Sequence, residues 1–317
     1  MALTTAKDWL ERAKDDLKMR INMSDGRLLS YDELAKETGN RYADLAVPDV
    51  IEQKVAKIQR ALDHLAADIE QAGIDAMIII GDDQEELYRK DNMPAVGLYY
   101  GDEVVTHKFP LASMPSVPDW LAKIATAYGA DTVHRFPGHR TLALALIESL
   151  LENSVDIAAC GSVPDPEAAG FGHAFGFVIN RLFRKPIPVV PLMLNTYYPP
   201  NVPSAARYVA IGRALRKAVE AAPGDLRVGV IASGGLSHFF VDEELDRKVL
   251  AAVTESRADD VATLPRGALN SGSSEILNWV TTLGAVEHLP NRWVDYIPGQ
   301  RTAAGTGCGM AFTVWLN

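Results

Sequence analysis

The sequence predicts an α/β fold, with a single domain whose central mixed sheet is covered by helices on both faces. A helix followed by a short strand rich in β-branched residues occurs three times along the chain, and this order is typical of such a sheet. The chain has 317 residues, 48% of them hydrophobic, which is enough to bury a large core. We expect residues 1–45 to form an N-terminal arm of helix and loop, and residues 46–317 to form the α/β domain.

The arm and the first helix–strand pair come first. Residues 1–20 form a polar helical stretch, and Ser24–Thr38 is expected to be a loop and a short helix, with no strand before the first long helix. Apolar residues at helical spacing predict that helix over Val50–Gln71, and Gly73 is expected to end it. A buried strand over Met77–Ile80 follows.

The same order returns twice. A helix over His139–Asn153 leads into a strand over Val155–Ala159, and a helix over Ala205–Ala222 leads into a strand over Arg227–Ala232. Three further stretches are predicted to be strands: Ala95–Tyr99, Pro188–Leu194 and Ala311–Trp315. Functional residues of α/β folds gather where strands end, so those junctions are where we expect a site.

Composition excludes several classes of protein. The 41 acidic and 31 basic residues give a net charge of −10, and no basic cluster interleaves with aromatics, so nucleic acid is not an expected partner. Apolar runs fall far short of the ~20 residues of a membrane span, and the charged start is unlike a signal peptide. With only Cys160 and Cys308, both expected to be buried structural thiols, a reducing cytoplasmic location fits.

The first junction is Gly81-Asp82-Asp83-Gln84, directly after the predicted strand Met77–Ile80. Carboxylates and a carboxamide at this place are suited to bind a cation or to orient a polar substrate. Alternatively, Asp82 or Asp83 is the N-cap of a following helix. Both interpretations remain open at this point.

Two histidines lie in glycine-rich surroundings. His173 stands among glycines and aromatics, where a neutral imidazole can bind a phenol or polarise a carbonyl; the alternative is a core histidine bonded to a carbonyl. His238 follows the Ser233-Gly234-Gly235 turn, which lets the backbone approach a ligand and presents the histidine as a general acid or base. The alternative there is a histidine that caps the next helix.

The last junction contains Glu275. Ser273 or Ser274 is a candidate N-cap with Glu275 in the first turn of a helix, where the helix dipole favours a carboxylate. The other interpretation makes Glu275 a metal ligand or a base.

In this order, the segments resemble the class III extradiol ring-cleavage dioxygenases, the family of protocatechuate 4,5-dioxygenase catalytic subunits, and most closely the branch of 3-O-methylgallate dioxygenase. The resemblance runs from about Asp8 to Trp315. Its motifs are Tyr31-Asp32-Glu33-Leu34, Gly81-Asp82-Asp83-Gln84, Asp91-Asn92-Met93-Pro94, Gly172-His173-Ala174-Phe175, Asn195-Thr196-Tyr197-Tyr198-Pro199-Pro200, Ser233-Gly234-Gly235-Leu236-Ser237-His238, Ser274-Glu275-Ile276 and Gly305-Thr306-Gly307-Cys308-Gly309-Met310.

The resemblance implies ring cleavage of a catechol or gallate-type aromatic acid in aromatic-compound catabolism. In the family, two histidines and a glutamate hold Fe(II). Glu275 matches the glutamate ligand, His238 the acid/base histidine and His173 a histidine that lines the substrate pocket. His238 and His173 are therefore the expected catalytic residues. The residues expected to bind substrate are Gln84, Asn195, Tyr197, Ser233, Gly234 and Gly235.

The resemblance also has departures. Gln84 stands where the family has its second histidine ligand, and the segment that carries the first has no counterpart. Two of the three expected ligands are therefore not evident, and iron is expected to be weakly bound or missing.

Two alternatives follow from these departures. One is a metal-independent lyase, decarboxylase or hydrolase of a phenolic substrate, with His238 as base and His173 or Gln84 as hydrogen-bond donor. The other is a non-catalytic subunit of a dioxygenase assembly. Association as a homo-oligomer or with a partner subunit is expected in any case. The predicted fold requires the side chains of His173, His238 and Glu275 to lie within ~15 Å of one another, in one pocket of ordinary size.

Overall fold

The N-terminal region contains more regular structure than its sequence predicts. The computed structural model describes residues 2–109, 111, 114 and 116–317, so residue 1 of the predicted polar helix lies outside it. The region consists of α1 (Ala6–Asp16), β1 (Arg20–Asn22), β2 (Leu28–Ser30) and α2 (Tyr31–Thr38). The expectation that no strand precedes the long helix is wrong, because β1 and β2 pair as an antiparallel hairpin. Strands of three residues are too short to show an alternating pattern.

The long helix and the remaining elements follow. The helices are α3 (Pro48–Ala72), α4 (Asp119–Ala127), α5 (Arg140–Glu152), α6 (His173–Leu182), α7 (Ala205–Ala221), α8 (Glu243–Thr254), α9 (Ala258–Ala262) and α10 (Ile276–Val286). The strands are β3 (Ala76–Asp82), β4 (Val96–Tyr99), β5 (Glu103–Val105), β6 (Arg135–Pro137), β7 (Ala158–Cys160), β8 (Val189–Leu194), β9 (Val228–Ala232), β10 (His238–Phe240), β11 (Asn291–Gln300) and β12 (Thr306–Trp315).

Five strands form the central sheet, in the order β7-β4-β8-β3-β9. Strand β3 is parallel to both β8 and β9, whereas β4 is antiparallel to β8 and parallel to β7. The sheet is therefore mixed, as the sequence predicts. Because β3, β8 and β9 run in one direction, their carboxyl ends lie at the same edge.

Helices cover both faces of this sheet. Successive side chains of a strand point to opposite faces, and in β3 the residues Ile78 and Ile80 belong to a core shared with α5, α7, α8 and α10. Their neighbours Met77 and Ile79 belong to a second core, shared with α1, α3 and α6. Every residue of β3 is buried, which explains its continuous apolar sequence.

A second sheet lies beside the first and is antiparallel, with the strand order β10-β12-β11. Its register places His238 directly opposite Cys308. Strand β12 begins five residues earlier than its predicted start at Ala311, because Gly307 and Gly309 interrupt the apolar pattern in the sequence.

Most predicted boundaries agree with the structure to within two residues. Helix α3 ends at Gly73, whose φ of 60° is the left-handed conformation that glycine adopts most readily. The strand predicted over Val155–Ala159 is instead Ala158–Cys160. The apolar signal of Val155 arises because this residue packs into the core from a loop, with 2% of its surface exposed. No helix among the described residues is both long and apolar enough to cross a membrane.

A buried lysine joins α3 to the end of β11. Lys54 is 8% exposed, and its Nζ donates to Leu45 O (3.1 Å), Gln300 O (3.2 Å) and Gln300 Oε1 (3.0 Å). Burial, partly offset by the charge of Glu243, lowers the pKa of Lys54 to about 8.

This lysine makes stability depend on pH. Below about pH 8 both the folded and the unfolded chain carry the charge. The pKa of a lysine in the unfolded chain is about 10.4. Between about pH 8 and pH 10.4 the unfolded chain therefore binds more protons than the folded chain, so the free energy of unfolding should rise with pH. Relative to Lys54→Met, the free energy of unfolding of the wild type should increase over this range by at most about 1.4 kcal/mol per pH unit.

Denaturant unfolding at a series of pH values measures this difference. Lys57→Met, which replaces an exposed lysine on the same helix, is the matched control and should follow the wild type. Parallel pH profiles for the wild type and Lys54→Met would show that Lys54 does not titrate in this way.

Candidate active site

The predicted junctions converge on one cavity of about 350 Å³ at the carboxyl ends of β3 and β9. Strand β3 ends at Asp82, and β9 leads into the turn Ser233–Gly235. His173 begins α6, and Glu275 immediately precedes α10. His238 Nε2 lies 3.8 Å from Glu275 Oε2. The structure thus brings His173, His238 and Glu275 together although they are far apart along the chain.

Asp82, His173 and Glu275 form a group that can hold a metal ion. One ligand atom from each lies within 4.8 Å of the other two. It is the one such group found among the described residues. Glu275 is the ligand expected from the sequence. For Asp82 the sequence allows either a cation ligand or a helix cap, and for His173 it predicts a place in the wall of the substrate pocket.

The orientation of His173 is fixed by Glu86. The Nδ1 and the backbone N–H of His173 both lie 2.9 Å from Glu86 Oε1. Because Nδ1 is bound there, Nε2 is the ring atom available to a ligand, the arrangement that is usual for metal-binding histidines. Burial opposes ionisation of Glu86, but His173 outweighs it and lowers the pKa of this carboxyl. A side chain at Gly172 would overlap the Glu86 carboxylate.

The two carboxylates of the group are also held by hydrogen bonds. Asp82 accepts from Gln84 Nε2 (3.0 Å) and Asn278 Nδ2 (3.1 Å), and Glu275 Oε2 accepts from the backbone N–H of Gly235 (2.7 Å). Burial and the charge of Asp82 raise the pKa of Glu275, although the two nearby histidines act against this. Two buried carboxylates that repel each other are stabilised by a divalent cation, so the donor set fits a metal ion.

His238 is paired with a cysteine. Its Nδ1 lies 2.9 Å from Leu236 O, so Nδ1 carries a proton, and its Nε2 lies 3.0 Å from Cys308 Sγ. Burial disfavours the charged imidazole, but Cys308, Glu275 and the hydrogen bonds raise the pKa of His238. Cys308 is buried, as expected, and lines the cavity. Cys160 is only partly buried, so the expectation of burial is wrong for this cysteine.

The residues expected to bind substrate separate into two groups. Gln84, Tyr197 and the turn Ser233–Gly235 line the cavity. Asn195 does not; its Nδ2 donates to Tyr198 O and Asn201 O, and its Oδ1 accepts from Tyr198 N. The polar groups of Asn195 are thus used to shape its own loop.

The helix-capping alternatives are wrong for the residues concerned. The segment directly after β3 is a turn and not a helix. In this turn Asp83 accepts the backbone N–H groups of Glu86, Leu87 and Tyr88. Ser273 Oγ accepts from His238 N and donates to His238 O, and α10 has no side-chain cap. Asp242, not His238, caps α8.

Four further residues of the cavity had no functional role predicted from the sequence. Tyr128, whose ring centroid lies 5.7 Å from that of His173, follows α4. Arg12, Trp120 and Arg301 line the same cavity from three separate segments. No local pattern distinguishes them from surface or core residues, so only a motif that spans these segments would have revealed them.

The fold and site together define an α/β protein with a candidate metal-binding centre. Residues 48–305 match the family model described as the catalytic LigB subunit of aromatic ring-opening dioxygenase. This match covers most of the chain, so the chain belongs to that family. It is also 28% identical over 167 residues to a gallate dioxygenase of Pseudomonas putida, an alignment that covers 47% of this chain and 46% of the relative. The chain thus aligns with about half the length of this curated relative.

The metal site can be tested by removing its donors. Glu86→Gln should weaken ferrous iron binding by about 10- to 100-fold, the usual effect of losing a residue that orients a metal ligand. Asp82→Asn and Glu275→Gln remove ligands themselves, so each should weaken binding by about 100-fold or more. Anaerobic titration calorimetry measures the affinities.

Glu85→Gln is the matched control, since this carboxylate lies in the same loop but pairs with Lys90 at 3.2 Å. Its affinity should equal that of the wild type. Unchanged iron affinity in both Asp82→Asn and Glu275→Gln would exclude this group as the metal site.

Proposed function

We propose that this protein is an extradiol dioxygenase that opens the ring of a catechol or gallate-type aromatic acid. The observation that carries the proposal is the position of His238, an acid/base group, beside the Asp82, His173 and Glu275 cluster, of which His173 and Glu275 line the same cavity as His238. Membership of the ring-opening family supports the reaction class. The partial similarity to a gallate dioxygenase supports the substrate class.

Fe(II) is the proposed cofactor, held by Asp82, His173 and Glu275. When bound, ferrous iron supplies the redox chemistry through which dioxygen reacts with an electron-rich ring. One histidine and two carboxylates replace the two histidines and one glutamate that the family resemblance implies. Imidazole and carboxylate are both suitable ligands of this metal, and the additional carboxylate makes the donor set harder.

The chain's own residues handle the protons. Binding a catechol through its oxygens requires loss of phenolic protons, and His238 Nε2 is the ring nitrogen that faces the cavity, because Nδ1 is occupied by Leu236 O. Glu275 Oε2 and Cys308 Sγ, at 3.8 Å and 3.0 Å, hold that nitrogen in place. Because its raised pKa favours the protonated imidazole, His238 acts as the acid that gives a proton to the product, and a phenolic proton of the next substrate restores it.

The cavity also suits an aromatic ring. Its volume of about 350 Å³ lies at the lower end of the range for small-molecule sites. Apolar and aromatic side chains contribute much of the wall, among them Tyr128, Phe177, Tyr197 and Phe239.

Ring cleavage inserts both oxygen atoms of dioxygen, breaks one carbon–carbon bond of the ring, and needs no further reductant.

A second candidate is a metal-independent reaction of a phenolic substrate with His238 as the acid/base group, because Leu236 O and Cys308 Sγ hold both of its ring nitrogens without a metal. Turnover in the presence of a chelator separates the two candidates. The dioxygenase should lose activity with its metal and regain it on adding ferrous iron. Turnover that survives metal removal and consumes no oxygen would favour the metal-independent reaction.

Replacement of His238 tests the proposed acid/base role. His238→Ala should lower turnover of gallate by about 100- to 10,000-fold, the usual contribution of a general acid/base. Folding should be nearly unaffected. Oxygen uptake under steady-state conditions measures the rate, and circular dichroism checks the fold.

His64→Ala is the matched control, because His64 lies outside the cavity and stacks on Trp293 with 53% of its side chain exposed. It should retain full activity. If His238→Ala keeps more than about a tenth of the wild-type rate, the proposed role is wrong and a non-catalytic subunit becomes the better account.

A further inference from the structure

Two arginines line the cavity together with His173 and Glu275 of the candidate metal cluster. Arg12 comes from α1, and Arg301 follows the end of β11. The family match begins at residue 48 and therefore assigns nothing to α1. The role of Arg12 has to be argued from its surroundings.

The two guanidinium groups share one carboxylate. Arg301 binds Asp16 through two nitrogens, with Nε to Oδ2 at 2.6 Å and Nη2 to Oδ1 at 3.1 Å. Arg12 Nη1 lies 3.3 Å from Asp16 Oδ1. One aspartate thus faces two arginines, and Thr306 Oγ1, which also donates to Asp16, contributes no charge. The nearby carboxylate of Asp15 is partly exposed and pairs with Lys18.

Within the part of the chain that the structure describes, these two guanidinium groups share the single buried carboxylate of Asp16, and Arg12 carries the less fully paired charge into the cavity. Its side chain is 17% exposed, and its Nη2 contacts the uncharged Met19 Sδ at 3.3 Å. Burial and the neighbouring charge of Arg301 lower the pKa of Arg12, although Asp16 acts against this. An anion brought to this guanidinium would relieve both effects.

The position of Arg12 is well defined. Its guanidinium carbon lies 5.1 Å from the ring centroid of Trp120, the stacked geometry of a cation–π contact. Helix α1 is anchored by the buried Trp9 and by the ion pair between Asp8 and Lys123 at 2.6 Å. A planar fork held against an aromatic face is suited to bind a carboxylate attached to a ring.

We propose that Arg12, presented by the N-terminal arm, binds the carboxylate of the aromatic acid substrate and so determines specificity for acids over uncharged phenols. The assignment rests on the proposed function. It orients the ring with its carboxylate at the Arg12 wall and its hydroxyls toward His238 and the Asp82, His173 and Glu275 cluster. Arg301 does not bind the substrate carboxylate, because its Nε and Nη2 are occupied by Asp16. It is a positioning residue that holds the Asp16 carboxylate against Arg12.

A pair of ligands that differ only in the carboxylate tests the proposal. Gallate and pyrogallol carry the same three hydroxyls, and their affinities for the iron-loaded protein are measured by calorimetry under nitrogen, where no turnover occurs. The wild type should bind gallate about 10- to 100-fold more tightly, the value of a charge-assisted hydrogen bond. Arg12→Gln should lose this preference but retain its affinity for pyrogallol.

Two further variants complete the test. Arg12→Lys keeps the charge and should keep part of the preference. Lys14→Gln, at an exposed position of the same helix that pairs with Glu11, should behave as the wild type.

Each other outcome has a definite meaning. A folded Arg12→Gln that still prefers gallate, or that loses affinity for both ligands equally, overturns the assignment of the carboxylate. Equal binding of both ligands by the wild type overturns it too but leaves the ring-cleavage proposal standing. Failure of the wild type to bind either phenol overturns both proposals.

Discussion

The site depends on one electrostatic constraint, the burial of three carboxylates around one imidazole. Asp82 and Glu86 are 0% and 7% exposed, and Glu275 lies within ligand distance of His173. Isolated buried charges are strongly unfavourable, so each must be compensated. His173 compensates Glu86 directly, with both its backbone and its ring within 2.9 Å of one oxygen. The remaining negative charge of Asp82 and Glu275 makes this the place where a cation would be stabilised.

The two sheets provide the rigidity that such a site needs. Parallel pairing of β3 with β8 and β9 fixes Asp82 and the Ser233–Gly235 turn at one edge of the central sheet. Antiparallel pairing of β10 with β12 fixes His238 against Cys308 in the second sheet. Side chains on paired strands keep their geometry better than side chains on loops, which is the condition for a preorganised acid/base group. Asp82 and His238 thus come from different sheets.

The departures from the family pattern are local, and neighbouring residues take over the roles that are missing. Gln84 cannot replace a histidine as a strong ligand, yet it donates to Asp82 and orients this carboxylate instead. His173, expected to line the substrate pocket, is the imidazole of the Asp82, His173 and Glu275 group. Beyond the family match, α1 closes the cavity with Arg12 and is tied to the rest of the chain through Asp16 and Arg301. The cavity is therefore completed by a segment whose sequence resembles an ordinary polar helix.

The sequence alone determined the α/β class, the span of α3 with its glycine end, the buried strand β3 and the junctions that carry His173, His238 and Glu275. These follow from local signals: apolar periodicity, glycine conformation and short motifs. Only the tertiary structure decided that Asp82 joins His173 and Glu275, that Cys308 meets His238, that Arg12 reaches the cavity and that Asn195 does not. Such contacts join residues from 70 to almost 300 positions apart in the chain. They depend on strand register and helix packing, which a single sequence encodes through the whole core and not through any local pattern.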